Sequence, residues 1–462
     1  MKILRSPDRL RVVAFVVFGI LLTLLVRWKL PPFMGADEMN HIRRANMLTH
    51  GVLIGERFPT PVGMGAGSVS DSNLNRVGDC YQPMAGNPGR KVWELSCTDT
   101  VSSIGWGDRT ERDEFSNTVV YPPIFYLPQT LAIGLGKLAG QSVQSTVGFA
   151  RLLNALSCIA IGALAIALAG RARAWLFCVL LLPMTVALDA TVTQDGLLIA
   201  TAALASALLV RSQAEGRAAT KLEISAAAIC LGLVGMAKPP YVLLAFLLLA
   251  VHAEKKQWQF IACASALALG LAWNMWMAKA VQVPMYRPEV ALNEPAQAQY
   301  LLHHIGTIPN IAAHTARQGA TQYAAQVIGI LGWLDTPLPK RFYMLAYLVL
   351  LVAAAFTYSG VSRRSLFNLG LLLFTFVSIF GALYLAFTPV GKDFVEGVQG
   401  RYFLPLLALA PLALVGRPPG RESKWTESPL AQRIVWGAVF LLPLISLYVT
   451  ERALDHRFYE MY

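Results

Sequence analysis

Long apolar runs, repeated along most of the chain, restrict this sequence more than any other feature. Crossing roughly 30 Å of hydrocarbon as a helix takes about 20 mostly apolar residues. Such runs lie at 12–30, 149–170, 174–190, 196–210, 222–237, 240–253, 258–279, 342–358, 366–387, 401–415 and 433–450. They predict an all-α polytopic membrane protein with about eleven transmembrane helices, one integral membrane domain over residues 1–462. Only 14% of the residues are charged, where a soluble domain carries about 25%.

The net charge of +12 would suggest nucleic acid in a soluble protein. Here its distribution points to orientation instead. If the eleven runs alternate, the short segments on one side hold 17 of the 39 Lys and Arg. These are Lys2, Arg5, Arg9 and Arg11; Arg171 and Arg173; Arg211, Arg217 and Lys221; Lys255 and Lys256; Arg363 and Arg364; and Arg417, Arg421, Lys424 and Arg433. The excess of positive charge makes that side cytoplasmic, with the amino terminus. Run 12–30 lacks a small-x-small cleavage site, so it reads as an uncleaved anchor. Run 119–139 holds three prolines; counted as a span it would invert every later loop. It therefore reads as a juxtamembrane or partly inserted helix on the outer face.

The outer side then receives the polar mass. The first outer loop, 31–118, is the catalytic candidate; the second, 280–341, carries amphipathic helices; a third covers 388–400. Four of the six cysteines fall in apolar runs, and Cys80 and Cys97 share the first outer loop. Two cysteines alone in a loop exposed to an oxidising compartment are expected to pair.

A few polar residues stand at the outer boundary, where lipid would not tolerate them without reason. In PPFMGADEMNHIRRANMLTHG (31–51), Asp37 and Glu38 open a helix, His41 follows one turn later, and then Arg43 and Arg44. They read either as an acidic helix cap or as a general base that takes a proton from a sugar hydroxyl. Asp195 opens a later span in ATVTQDGL (190–197), where cap-and-turn chemistry is the plain alternative. KPPY (238–241) leaves Lys238 at the boundary, as a snorkelling side chain or as a cation for a lipid phosphate. In VQGRYFLP (398–405), Arg401 enters the membrane and needs an anionic partner, protein or ligand. Its planar fork suits phosphate oxygens. His303, His304 and His314 meet no zinc spacing. No phosphate-cradling glycine loop or dinucleotide fingerprint is present.

The order of these motifs resembles the C-type membrane glycosyltransferases. The shared features are an amino-terminal span, an acidic pair opening the first outer loop, Tyr-Pro-Pro-x-x-Tyr (Tyr121 to Tyr126) before a span containing Arg151, and Asp195 on a later outer turn. The finer wording (ADEMNHIRRA, YPPIFYLPQ, KPPY, LGWLDTPLP, QGRYFLP) resembles a group of bacterial polytopic proteins carrying a domain of unknown function. The likeness runs over about residues 10–415. It implies a sugar donor on a polyprenyl phosphate, a glycan or lipid-linked acceptor, and an active site facing the periplasm from the bacterial inner membrane. It implies Asp37 as base with Glu38 assisting. Lys238, Arg401, Arg43, Arg44 and Arg151 become candidates for the donor phosphate, and His41, Tyr121, Tyr126, Asp195, Tyr241 and Tyr402 for substrate contacts. The family's chemistry admits a divalent cation, but the first loop lacks an Asp-x-Asp motif to hold one, and the resemblance implies no definite cofactor. The rival readings are a flippase for a lipid-linked saccharide, with charges along a mid-bilayer pathway, and a non-catalytic part of an envelope polysaccharide complex.

Overall fold

The structure is a computed structural model that describes residues 6–107, 109–284, 292–416 and 428–460. It is mostly helical. Among the described residues, seven helices are long and apolar enough to cross a membrane: Pro7–Lys29, Val143–Leu168, Asp195–Ala214, Lys256–Ala280, Lys340–Thr357, Arg363–Ala386 and Pro429–Phe458. Gly170–Leu180 and Pro183–Asp189 form a pair bent by 75° that counts as an eighth span if taken together. Pro183 explains the break, since it has no N–H to continue the helical ladder. The other three apolar runs fold as shorter elements. Lys221–Ala237 has 17 residues, Pro239–Ala250 is a 12-residue 3₁₀ helix, and 401–415 breaks at Pro411 into two short helices.

Contacts sort the connections into two ends. At one end Asp8 pairs with Arg11 and Arg173, and Arg171 donates to the carbonyls of Thr357 and Tyr358. There too Gln213, Arg217, His252, Ser362, Arg364 and Val415 border one cavity. The basic connections therefore gather at this end; Lys2, Arg5, Arg417, Arg421 and Lys424 lie outside the described residues. At the other end Lys29 pairs with Glu451 and Asp455. Asp37, Asp195, Lys238 and Arg401 meet there as well. Segments 195–214, 221–237, 239–250 and 401–415 thus each run from one end of the bundle to the other.

The first loop is more structured than its lack of helical period suggests. Helix Glu38–Thr49 leads into an antiparallel three-stranded sheet of Glu56–Thr60, Gly63–Asp71 and Thr110–Glu114. Gly67 pairs with both Glu56 and Glu114, and a Cβ there would stand 1.9 Å from the Asp113 carbonyl oxygen. Only glycine lets those strands close. Helix Ser72–Tyr81 follows the second strand, and Cys80 is disulfide-bonded to Cys97.

Segment 119–139 folds as a 3₁₀ turn, Pro123–Tyr126, and a 12-residue helix, Leu127–Leu138. At 1.5 Å per residue that helix is about 18 Å long, too short to cross. Leu127, Leu131, Leu135 and Leu138 form an exposed stripe along it. The second loop holds helices Glu294–His303 and Ile308–Ile328, then a hairpin pairing Ile330–Leu331 with Thr336–Pro337. Asp335 of that hairpin pairs with Arg457, which also donates to the carbonyls of Met84 and Arg90. The last helix is therefore fastened to the first loop.

Candidate functional site

The two adjacent acids at 37 and 38 point in different directions. Glu38 begins helix Glu38–Thr49 and is fully buried. Its carboxylate accepts from Arg151 Nε at 2.7 Å and Nη2 at 2.6 Å, and from the backbone N–H groups of Val192 at 2.9 Å and Gly35 at 3.0 Å. Arg151 sends two further donors to the carbonyls of Leu30 and Pro31. Four of its five N–H groups are thus engaged inside the protein, and the pair ties the entry of the first loop to helix Val143–Leu168.

Asp37 precedes that helix with φ 59°, a left-handed conformation that a residue bearing a side chain seldom adopts. Its side chain, 30% exposed, contacts Arg401 through Oδ2 and accepts from Asn117 Nδ2 at 3.3 Å through Oδ1. Burial pushes the carboxyl up, but Arg401, His41 and Lys238 together outweigh it and hold Asp37 below the ordinary carboxylate range. It is ionised at neutral pH.

Arg401 lies in the turn Gly400–Phe403, nearly buried. Its guanidinium reaches Asp37 on one side and stands 3.6 Å from Asp195 Oδ2 on the other, while Nε donates to Gln399 Oε1 at 2.6 Å. Gly400 makes this placement possible. Its N–H donates to Gln326 Oε1, and a Cβ would stand 2.3 Å from the Tyr323 carbonyl oxygen. Asp195, first residue of its helix, supplies the second carboxylate where the helix dipole favours an anion.

Lys238 sits in the break between Lys221–Ala237 and Pro239–Ala250. Its ammonium stands 3.5 Å from the ring centre of Tyr402 and 5.9 Å from that of Tyr121. Among the described residues no carboxylate pairs with it. Burial pulls its pKa down to about 8 against the opposing pull of Asp195. Tyr241 is buried and donates its hydroxyl to the Tyr402 carbonyl at 2.7 Å. It thereby ties KPPY to QGRYFLP and holds Lys238 over Tyr402.

His41 is buried between the rings of Tyr121 and Tyr126, with Nδ1 2.6 Å from the Tyr126 hydroxyl and Nε2 3.4 Å from Thr193 Oγ1. Burial lowers its pKa to about 4, so it is neutral near pH 7. The other arginines of the first loop are held elsewhere. Arg44 is fully buried on the carbonyls of Leu53 and Tyr121, and Arg43 is held by Asn40 and Asn75. Of the five candidate phosphate ligands, then, only Lys238 and Arg401 stand together at one pocket, and of those two Lys238 is the one without a carboxylate in an ion pair.

Asp37, His41, Tyr121, Asp195, Lys238 and Arg401 line one pocket of about 420 Å³. Met236, Met277, Ile379, Leu383 and Phe387 give the same pocket an apolar wall. Among the described residues no three His, Cys, Asp or Glu side chains group as metal ligands. Asn117, which contacts Asp37, lies in no motif singled out from the sequence, and Gln399, which contacts Arg401, lies in VQGRYFLP without having been singled out itself. The Glu38–Arg151 pair was readable: the demand for an anionic partner applied to Arg401 holds equally for Arg151.

No curated protein and no solved structure matches the chain. A family model described as "Predicted membrane protein (DUF2142)" matches residues 17–410. The chain belongs to that family of membrane proteins.

Proposed function

We propose that this DUF2142 protein is a C-type membrane glycosyltransferase. On this reading it moves a sugar from a polyprenyl phosphate to a hydroxyl of a cell-envelope glycan or lipid-linked acceptor. The observation that carries the reading is the meeting of Asp37, Asp195, Lys238 and Arg401, far apart in sequence, around one pocket with an apolar wall. An amphiphile with an anionic head and a greasy tail fits those two surfaces. The gathering of basic connections at the opposite end supports a cytoplasmic assignment for that end, and so a periplasmic site in the inner membrane. The end-to-end course of the shorter segments supports eleven crossings.

The chemistry uses each group in turn. The acceptor hydroxyl, hydrogen-bonded to Asp37, attacks the anomeric carbon. As the new C–O bond forms, the bond from that carbon to the phosphate oxygen breaks and its electron pair leaves with the polyprenyl phosphate. Lys238 faces the departing charge, where a cation does most for the barrier. Asp37 takes the hydroxyl proton. Arg401, between two carboxylates, keeps Asp37 ionised and holds both side chains in place. The buried neutral His41 adds no charge to compete with Lys238. A flippase would place its charges along a mid-bilayer pathway; here they sit at one end of the bundle.

The test is reconstitution: purified protein, a polyprenyl-phosphate sugar and a panel of glycan acceptors, scored for product. Asp37→Asn should lower turnover by about 10²–10⁴-fold, the usual worth of a general base, while donor binding survives. Full activity in that variant would remove Asp37 from the chemistry.

A further inference from the structure

Asp37 borders two cavities. The first is the pocket described above. The second, about 220 Å³, is lined by Asp37, Asn40, Arg43, Asp79, Gln82 and Trp333, with Met39 and Gly78 as its apolar floor. Asp37 is the one residue common to both linings among the described residues. The walls differ in kind. The first cavity draws apolar side chains from three long or broken membrane helices, whereas every residue around the second comes from the first loop or from the hairpin after residue 329.

Three observations give the second cavity the character of a ligand site. The first is its side-chain chemistry. One indole face stands among planar amide, carboxylate and guanidinium groups, which can each bond two neighbouring hydroxyls, while an aromatic face packs on apolar C–H. Arg43 is held rigidly by Asn75 and Asn40, and Asn40 in turn donates to Asn117, the residue that orients Asp37. The side chains of Asp79 and Gln82 make no hydrogen bond to any described residue and remain open to a ligand.

The second observation is backbone strain. Among the described residues the non-glycine positions with positive φ are Phe33 at 64°, Asp37 at 59° and Leu334 at 60°. One of the three lines this cavity and the other two adjoin its Trp333. Asp37 lines it, Leu334 follows the lining residue Trp333, and the Phe33 carbonyl accepts from Trp333 Nε1 at 3.3 Å. Strain of this kind costs on the order of 1–3 kcal/mol per residue and collects where geometry serves a ligand. The third observation is charge. Asp37 is already paired with Arg401, and the guanidinium of Arg43 lies 3.5 Å from Asp113. Among the described residues the lining therefore offers no unpaired cation to receive a phosphate.

We infer that this cavity is a second binding site, which takes the end of a phosphate-free saccharide, uncharged or amino-bearing, and presents its hydroxyl to Asp37. The inference rests on the transferase reading and names its acceptor class: a water-borne glycan end, since among the described residues none of the candidate membrane-spanning helices lines the cavity to receive a lipid chain.

Saturation-transfer NMR on the purified full chain in detergent tests this with methyl glycosides of glucose, galactose, mannose, N-acetylglucosamine and glucosamine. At least one glycoside should bind. Its dissociation constant should rise about tenfold in Asp79→Asn with Gln82→Ala, two exposed positions whose exchange spares the fold. It should rise in Trp333→Phe as well and stay unchanged in Lys238→Ala. Absence of transfer to every glycoside, or binding unaffected by the Asp79 and Gln82 changes, overturns the site. A parallel titration with undecaprenyl phosphate separates the two claims. Loss of that binding together with normal glycoside binding would sink the transferase reading and leave the saccharide site standing. The reverse pattern would sink only the saccharide site.

Discussion

Replacing either member of the Asp37-Glu38 pair should separate stability from chemistry. Glu38→Gln keeps the shape of the side chain but removes the charge facing Arg151. The wild-type carboxylate accepts four hydrogen bonds, two from a guanidinium whose side chain is 3% exposed. Removing one partner of a buried ion pair leaves the other charge uncompensated, at a cost of about 3–5 kcal/mol. At roughly 2 °C per kcal/mol for a large domain, the melting temperature should fall by about 6–10 °C. Arg151→Met should cost a similar amount. The double variant should cost clearly less than the sum, because neither single variant's orphaned charge remains. Asp37→Asn, by contrast, alters a side chain 30% exposed to the pocket. It should move the melting temperature by at most a few degrees while turnover collapses. Melting followed by size-exclusion fluorescence in detergent reads the first quantity, and product formation reads the second. A Glu38→Gln protein as stable as wild type but without activity would refute this division of labour and make Glu38 the reacting carboxylate.

Other expectations follow from the same geometry. Lys238, with its pKa near 8, is charged below that pH and neutral above it. Affinity for undecaprenyl phosphate should therefore fall as pH rises from 7 to 9, and the fall should vanish in Lys238→Arg; calorimetric titration across that range checks both. His41, lowered to about 4, and Asp37, held ionised, change no charge between pH 5 and 7, so turnover at saturating donor should be flat there. Cys80→Ser opens a disulfide that closes 17 residues of chain and should lower stability by about 3 kcal/mol on the chain-entropy account, visible as a lower melting temperature that reducing agent reproduces in the wild type. Arg401→Gln leaves Asp37 and Asp195 facing one another without their shared cation. Asp37 should then titrate nearer neutrality, giving turnover an acid limb that the wild type lacks.

Much of the architecture is legible without coordinates. A helix across lipid must be apolar for about 20 residues, so the seven helices long and apolar enough to cross stand out as runs in the sequence. Basic residues flanking those runs anticipate the end at which Arg171, Arg217 and Arg364 gather. Cys80 and Cys97 pair as two lone cysteines of one loop should. At 222–237, 240–253 and 401–415 the runs fold as shorter or broken elements, because buried segments packed on protein need not form a full-length helix on their own. Hydropathy also says nothing of the sheet in the first loop, whose strands rest on the close approach at Gly67.

The chemistry divides in the same way. Residue type and boundary position suffice to mark Asp37, Asp195, Lys238 and Arg401, since lipid penalises polar groups that have no use. Which charges answer one another is a matter of distances across the bundle, and local sequence does not encode these. Glu38 and Asp37 are neighbours in the chain, yet a left-handed turn at Asp37 sends one to Arg151 in the core and the other to Arg401 at the pocket. Arg43 and Arg44 look alike in sequence to the pocket cations, but helix phase turns one toward Asn75 and buries the other on carbonyls. Lys238 stands out because the fold gave Arg401 and Arg151 carboxylates within ion-pair distance and set the lysine against the rings of Tyr402 and Tyr121 instead. The sequence determined which residues have to be explained; packing decided which of them are left with an unanswered charge.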